Sequence, residues 1–367
     1  MKGRVWIIAA VLVYVTVIGC VMWPGSTPVV KSASAESAIA APVPRADLSG
    51  MPYRGMVLQV QRIDGLEVYK KAIDDIAATG ADTVEIVVDS RQENASSNII
   101  FIDMRMSPTP DKLTELLKYA KSKKLRVVIM PIVLLEDPQK ETEWRGTISP
   151  PAWDKWFDSY REMLLHYAHV ANDGGADIFS VGSELVSAER HREEWRKTIA
   201  QVRQVFHGLL IYSSNWDHYR SIPFWDDLDM IAMNSYWKLG ENHNASVSEI
   251  VRRWHEIQQD LFAFVHEKHK PLFLTEAGWC SLANSAHEPW DYTQVSVPID
   301  LDLQKRLYEG FFQAWDNVPE LGGYMIWQFT IGEGGPTDRG YTPMGKPAEQ
   351  VMREAFAKPR WKVSPNR

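Results

Sequence analysis

From about residue 53 to residue 357 the chain alternates between two hydrophobic rhythms. Short, nearly continuous apolar runs give way to longer stretches with apolar residues three and four apart. The runs at 55–60, 81–89, 125–135, 176–185, 209–216, 228–237, 270–279 and 322–330 predict eight strands. The stretches at 67–80, 109–124, 151–175, 191–206, 247–269, 302–318 and 346–357 predict amphipathic helices, because that spacing puts the apolar residues on one helical face. Gly80 and Gly175 stop two of them, and Thr109-Pro110-Asp111 starts another as an N-cap followed by proline. Only the connection between the fifth and sixth strands lacks a clear helical pattern. Strands that are apolar throughout are buried on both faces, which calls for a parallel sheet covered by helices. Eight such units over about 300 residues predict an α/β fold, a single (β/α)8 TIM barrel. A doubly wound open sheet is the alternative, but no Gly-rich phosphate turn follows the first strand.

The first residues follow a different pattern. Lys2 and Arg4 precede an apolar run from Val5 to Trp23. That arrangement predicts a signal peptide or membrane anchor over residues 1–23. Val17-Ile18-Gly19-Cys20 resembles the lipobox of bacterial lipoproteins, which makes Cys20 a candidate lipidation site. Ala33-Ser34-Ala35 is a second cleavage candidate. Lipoprotein, uncleaved anchor and cleaved signal all put the remainder outside the cytoplasm. Residues 24–50, rich in Ser, Ala and Pro, read as a flexible linker. Residues 51–367 are then the barrel domain.

Composition narrows the partners. The net charge is −7, and no basic block interleaved with aromatics appears, so a nucleic-acid partner is not expected. Cys20 and Cys280 make no disulfide framework. The 15 tryptophans are the compositional oddity. They serve either as core volume or as flat platforms for sugar rings.

In such barrels the active site forms at the C-terminal ends of the strands. The fourth strand ends at Glu184 and the seventh at Glu276 and Trp279. The fifth ends at Asn215 and Trp216, the sixth at Asn234, Tyr236 and Trp237, and the eighth at Trp327. A carboxylate closing an apolar run is costly unless exposed, paired or useful. Two of them on roughly opposite strands, with aromatics on the same rim, suggest hydrolysis of a glycosidic bond. A surface carbohydrate-binding barrel without chemistry is a rival, which the two intact glutamates oppose. A metal-dependent barrel hydrolase is another. It needs His and Asp at strand ends, and none of the eight predicted ends carries a His. Neither a metal nor a cofactor is therefore expected.

The fourth-strand acid, TEAGW at 275–279 and IWQF at 326–329 resemble the retaining glycoside hydrolases of clan A. VGSEL, Trp144-Arg145-Gly146, SSNWD and GYTPMGKPAEQV are most similar to glycoside hydrolase family 113, a group of β-1,4-mannanases. The resemblance spans about residues 53–357 and implies Glu184 as acid/base and Glu276 as nucleophile. It also implies an oligosaccharide or polysaccharide substrate, with mannan or glucomannan first and another β-glycan or transglycosylation as alternatives. Ser183 departs from the clan, where most members carry an Asn that binds the sugar 2-hydroxyl. Asn215 and Asn234 are the candidates to replace that contact.

The chemistry sets further expectations. Glu276 has to be ionised to attack. Glu184 has to carry a proton at the start, favoured by a dry setting and by the charge of Glu276. Tyr236 is expected to orient Glu276, and Trp327 to floor the reacting sugar. Arg145 is expected on a sugar hydroxyl or on Glu276. Trp144, Trp216, Trp237 and Trp279 are candidates for flanking subsites. His266-Glu267-Lys268-His269 lacks the i, i+4 histidine spacing of a zinc motif and reads as a cationic helix end.

Overall fold

A computed structural model describes residues 48–61 and 65–364. The N-terminal segment with Cys20 and most of the linker lie outside the described residues. Nine strands are present among the described residues: β1 (Tyr53–Val60), β2 (Thr83–Gln92), β3 (Ile100–Phe101), β4 (Arg126–Leu135), β5 (Ile178–Ser183), β6 (Leu209–Ser214), β7 (Ile231–Asn234), β8 (Leu272–Ala277) and β9 (Leu321–Phe329). All but β3 pair in parallel with both neighbours, and β1 pairs with both β2 and β9, which closes an eight-stranded barrel. The short β3 is an antiparallel addition to the end of β2.

Among the described residues seven helices follow the strands: α1 (Leu66–Ala77), α2 (Pro110–Ser122), α3 (Trp153–Gly174), α4 (Arg192–Val205), α5 (Val247–Lys268), α6 (Leu301–Trp315) and α7 (Pro347–Ala357). Their ends follow local chemistry. Pro110 opens α2 after Thr109. Gly175, at φ 73, closes α3 in the left-handed region that glycine adopts freely. Ser246 and Glu249 form a reciprocal capping box on α5. His269 is the left-handed cap of α5, and His266 lies 3.0 Å from Glu320, so this motif is a helix end. Between β6 and β7 the chain makes two 3-10 turns, Tyr219–Ser221 and Trp225–Asp227, instead of a helix.

The barrel interior is filled by Val57, Val87, Val128, Met130, Ile178, Ile211, Phe273 and Met325. A second apolar layer lies between strands and helices and holds Trp156, Trp195, Trp225, Trp254, Trp279 and Trp315, all fully buried. Much of the tryptophan excess is thus core volume. Truncating one of these rings to Ala would cost about 3–5 kcal/mol.

The strands that carry polar side chains are irregular at their C-terminal ends. The pairing register shifts between Ser180 and Ser183, between Met233 and Asn234, and between Leu274 and Ala277. Bulges re-aim side chains and break the strict in–out alternation of a strand. Each shift immediately precedes or contains a residue of the cleft described next.

Candidate active site

A cleft of about 970 Å³ opens at the C-terminal end of the barrel. Its lining includes Trp144, Arg145, Glu184, Asn215, Trp216, Asn234, Tyr236, Glu276 and Trp327. The strand-end reading therefore brings both glutamates and most of the predicted partners to one place.

Glu184 follows the β5 bulge. Arg145 Nη2 donates to its Oε2, and Asn234 Nδ2 to its Oε1. Asn234 also donates to Asn215 Oδ1 at 3.0 Å and accepts from the Trp216 N–H at 2.9 Å. Asn234 is thereby spent on holding the acid and its neighbours. The amide nitrogen of Asn215 has no partner among the described residues and is the better candidate for a sugar hydroxyl. Ser183 is buried, and its hydroxyl has no partner among the described residues. Arg145 sits on Glu184 rather than on Glu276 or in open solvent.

Glu276 is set differently. It is 4% exposed. Tyr236 Oη donates to its Oε2 at 2.7 Å, and Ser235 Oγ donates to its backbone carbonyl at 2.7 Å. Burial and the negative charge of Glu184 push the Glu276 carboxyl up to about 8, against the opposing pull of Tyr236 and Arg145. A proton held this high on Glu276 stays in the cleft until the solution turns alkaline. The raised carboxyl is buried and meets a phenol, where Glu184 meets a guanidinium.

Two predicted subsite residues are elsewhere. Trp279 is fully buried and packs 6.5 Å from Trp254, in the layer between barrel and helices. At the preceding Gly278 a Cβ would lie 2.0 Å from the Trp327 carbonyl oxygen, so the backbones approach closely there. Trp237 is 8% exposed and wedged between Trp216 at 5.7 Å and Trp254 at 6.0 Å. It supports the cleft wall from behind.

Other lining residues had no periodic signal to reveal them. Trp290 and Tyr292 lie in the long loop between β8 and α6, are largely exposed and line the cleft. Trp290 stacks on Trp216 with ring centroids 6.3 Å apart. An aromatic pair in a loop at the mouth of a polar cleft was the available clue. Gln59, Gln61, Tyr341 and Glu333 complete the wall. Glu85 on β2 lies beneath the cleft. It is fully buried, and burial together with Glu276 pushes its carboxyl well up. Asp89 pairs with Arg91 at 2.8 Å. Cys280 is buried, and its thiol is pushed up to about 12. Among the described residues no cluster of His, Cys, Asp and Glu is arranged to hold a metal ion.

Comparison with known proteins follows the same lines. A model of Glycoside Hydrolase Family 113 matches residues 66–346. The solved GH113 β-mannanase AaManA from Alicyclobacillus acidocaldarius, in complex with ManMIm, is 29% identical, with a TM-score of 0.75 over 84% of this chain and 98% of that one. Another GH113 β-1,4-mannanase is 26% identical, with a TM-score of 0.76 over 84% of this chain and 100% of that one. A β-glucuronidase from Faecalibacterium prausnitzii, 13% identical with a TM-score of 0.57 over 85% of this chain and 50% of that one, shares the fold alone. No curated protein matches the chain.

Proposed function

The chain belongs to Glycoside Hydrolase Family 113, and on that footing we propose that it is a retaining hydrolase of β-1,4-linked mannan or glucomannan. The observation that carries this reading is the pairing of two differently equipped glutamates across one aromatic cleft. Glu276, oriented by Tyr236, attacks the anomeric carbon. Glu184 gives its proton to the leaving oxygen, then takes one from water when the glycosyl-enzyme is hydrolysed. The β-mannanase names of the two similar structures support the choice of sugar. Trp327 floors the reacting sugar, while Trp144 and the Trp216–Trp290 pair flank it.

The proton held on Glu276 is the one the double displacement has to deliver to the leaving oxygen by way of Glu184. At the transition state positive charge builds on the anomeric carbon beside Glu276 and stabilises its carboxylate. That draws the proton toward Glu184 and the leaving group.

The charged-then-apolar start of the chain supports export, with the barrel tethered outside the cytoplasm. Loss of fatty-acid labelling in Cys20→Ala would identify a lipoprotein; labelling that persists in the variant would rule that route out.

The test of the function is proton NMR of the full chain mixed with mannohexaose, with cellohexaose and xylohexaose in parallel. New β-anomer ends should appear first, and fastest from mannohexaose. Initial α-anomer ends would exclude retention, and cleavage of only the other two sugars would exclude mannan.

A further inference from the structure

Glu184 is held from behind by two side chains outside the cleft. It sits at φ 54, a left-handed backbone that is uncommon outside glycine. Such a residue is strained and persists only where its surroundings over-determine it. Two hydrogen bonds from successive amides do so here. The Glu184 N–H donates to the Ser213 carbonyl of β6 at 2.9 Å. The Leu185 N–H donates to the phenolic oxygen of Tyr212, also on β6, at 2.9 Å.

Tyr212 is fully buried and has a single proton to give. It donates that proton to Glu189 Oε1 at 2.9 Å. A phenol committed as donor in one direction presents only lone pairs in the other. Glu189 thereby makes Tyr212 an acceptor for Leu185 and fixes the peptide that follows Glu184. Glu189 is itself 4% exposed, and it accepts this bond in either protonation state. Gly182 leaves room for the device. A Cβ there would lie 2.9 Å from the Tyr212 ring and 2.8 Å from Tyr160 Oη.

We propose that Tyr212 and Glu189 are a positioning pair that aims Glu184 at the leaving-group oxygen. Neither side chain lines the cleft, so both act through the Glu184–Leu185 backbone. The proposal rests on the reading of Glu184 as the general acid, so its test uses leaving-group dependence.

The experiment compares kcat/KM on mannohexaose, whose leaving group needs a proton, with kcat/KM on 2,4-dinitrophenyl β-mannobioside, whose leaving group does not. Tyr212→Phe and Glu189→Leu should lower the first about tenfold to hundredfold and the second less than about twofold. Glu189→Gln keeps an acceptor oxygen and should stay within about threefold of the parent on both. Equal losses on the two substrates, or no loss on mannohexaose, would overturn the proposal. If Tyr212→Phe does not fold, Glu189→Leu set against Glu189→Gln carries the same comparison. Glu184→Ala on the same two substrates reads the underlying assignment. A leaving-group split there with none in the positioning variants sinks the positioning role alone; no split in Glu184→Ala sinks both.

Discussion

The two corners of the cleft hold the same side chain in opposite settings. Glu184 sits on a bulged, left-handed turn and meets a guanidinium and an amide, one on each oxygen. Glu276 sits at the end of β8, drier, and meets one phenol. The difference teaches that a barrel of near-equivalent strand ends assigns distinct chemistry through the neighbours each bulge brings in, not through the carboxylate itself.

Removing each contact should expose that asymmetry. The largest effect is expected for Glu276→Ala, which deletes the proposed attacking group and should cut kcat about ten-thousandfold or more. Steady-state assay on mannohexaose checks it, and residual turnover near the parent rate would remove Glu276 from the chemistry. Tyr236→Phe keeps the ring and loses the bond to Glu276 Oε2. A hydrogen bond to a charged group is worth about 1.5–3 kcal/mol, so kcat should drop about tenfold to hundredfold with KM little changed. A rise in KM alone would instead make Tyr236 an ordinary wall residue.

The smallest effect concerns pH. With the Glu276 proton held up to about 8, kcat/KM should fall as pH rises through that value, because the proton the leaving group needs is then lost from the cleft. Arg145 is a positive charge that pulls this titration down. Arg145→Met should therefore move the alkaline limb to higher pH, by a fraction of a unit. A limb that stays in place or moves lower would contradict the placement of Arg145 on the pair.

Much of this molecule was legible in the residue pattern. Parallel strands buried on both faces write themselves as apolar runs, so the eight-stranded barrel and the two strand-end glutamates could be read directly. Orientation past the strand ends could not. Strict alternation fails at the three register shifts, and that is where Trp237 and Trp279 leave the cleft for the core. The partner of Arg145 is 39 residues away, in a contact no local spacing announces. Trp290 and Tyr292 lie in a long loop without periodicity, so their place on the rim depends on how that loop folds back. The turn region between β6 and β7 is short because two 3-10 turns bridge the strands where other units use a helix.

The central claim is that Glu276, rather than Glu184, forms the bond to the sugar. Its most direct test is the anomeric configuration of the product when Glu276→Ala cleaves 2,4-dinitrophenyl β-mannobioside in the presence of azide. Azide entering the space vacated by the carboxylate attacks the face opposite the leaving group, so the account predicts an α-glycosyl azide. A β-glycosyl azide would mean that a covalent intermediate still forms on another residue, and would hand the nucleophile's role to the Glu184 corner.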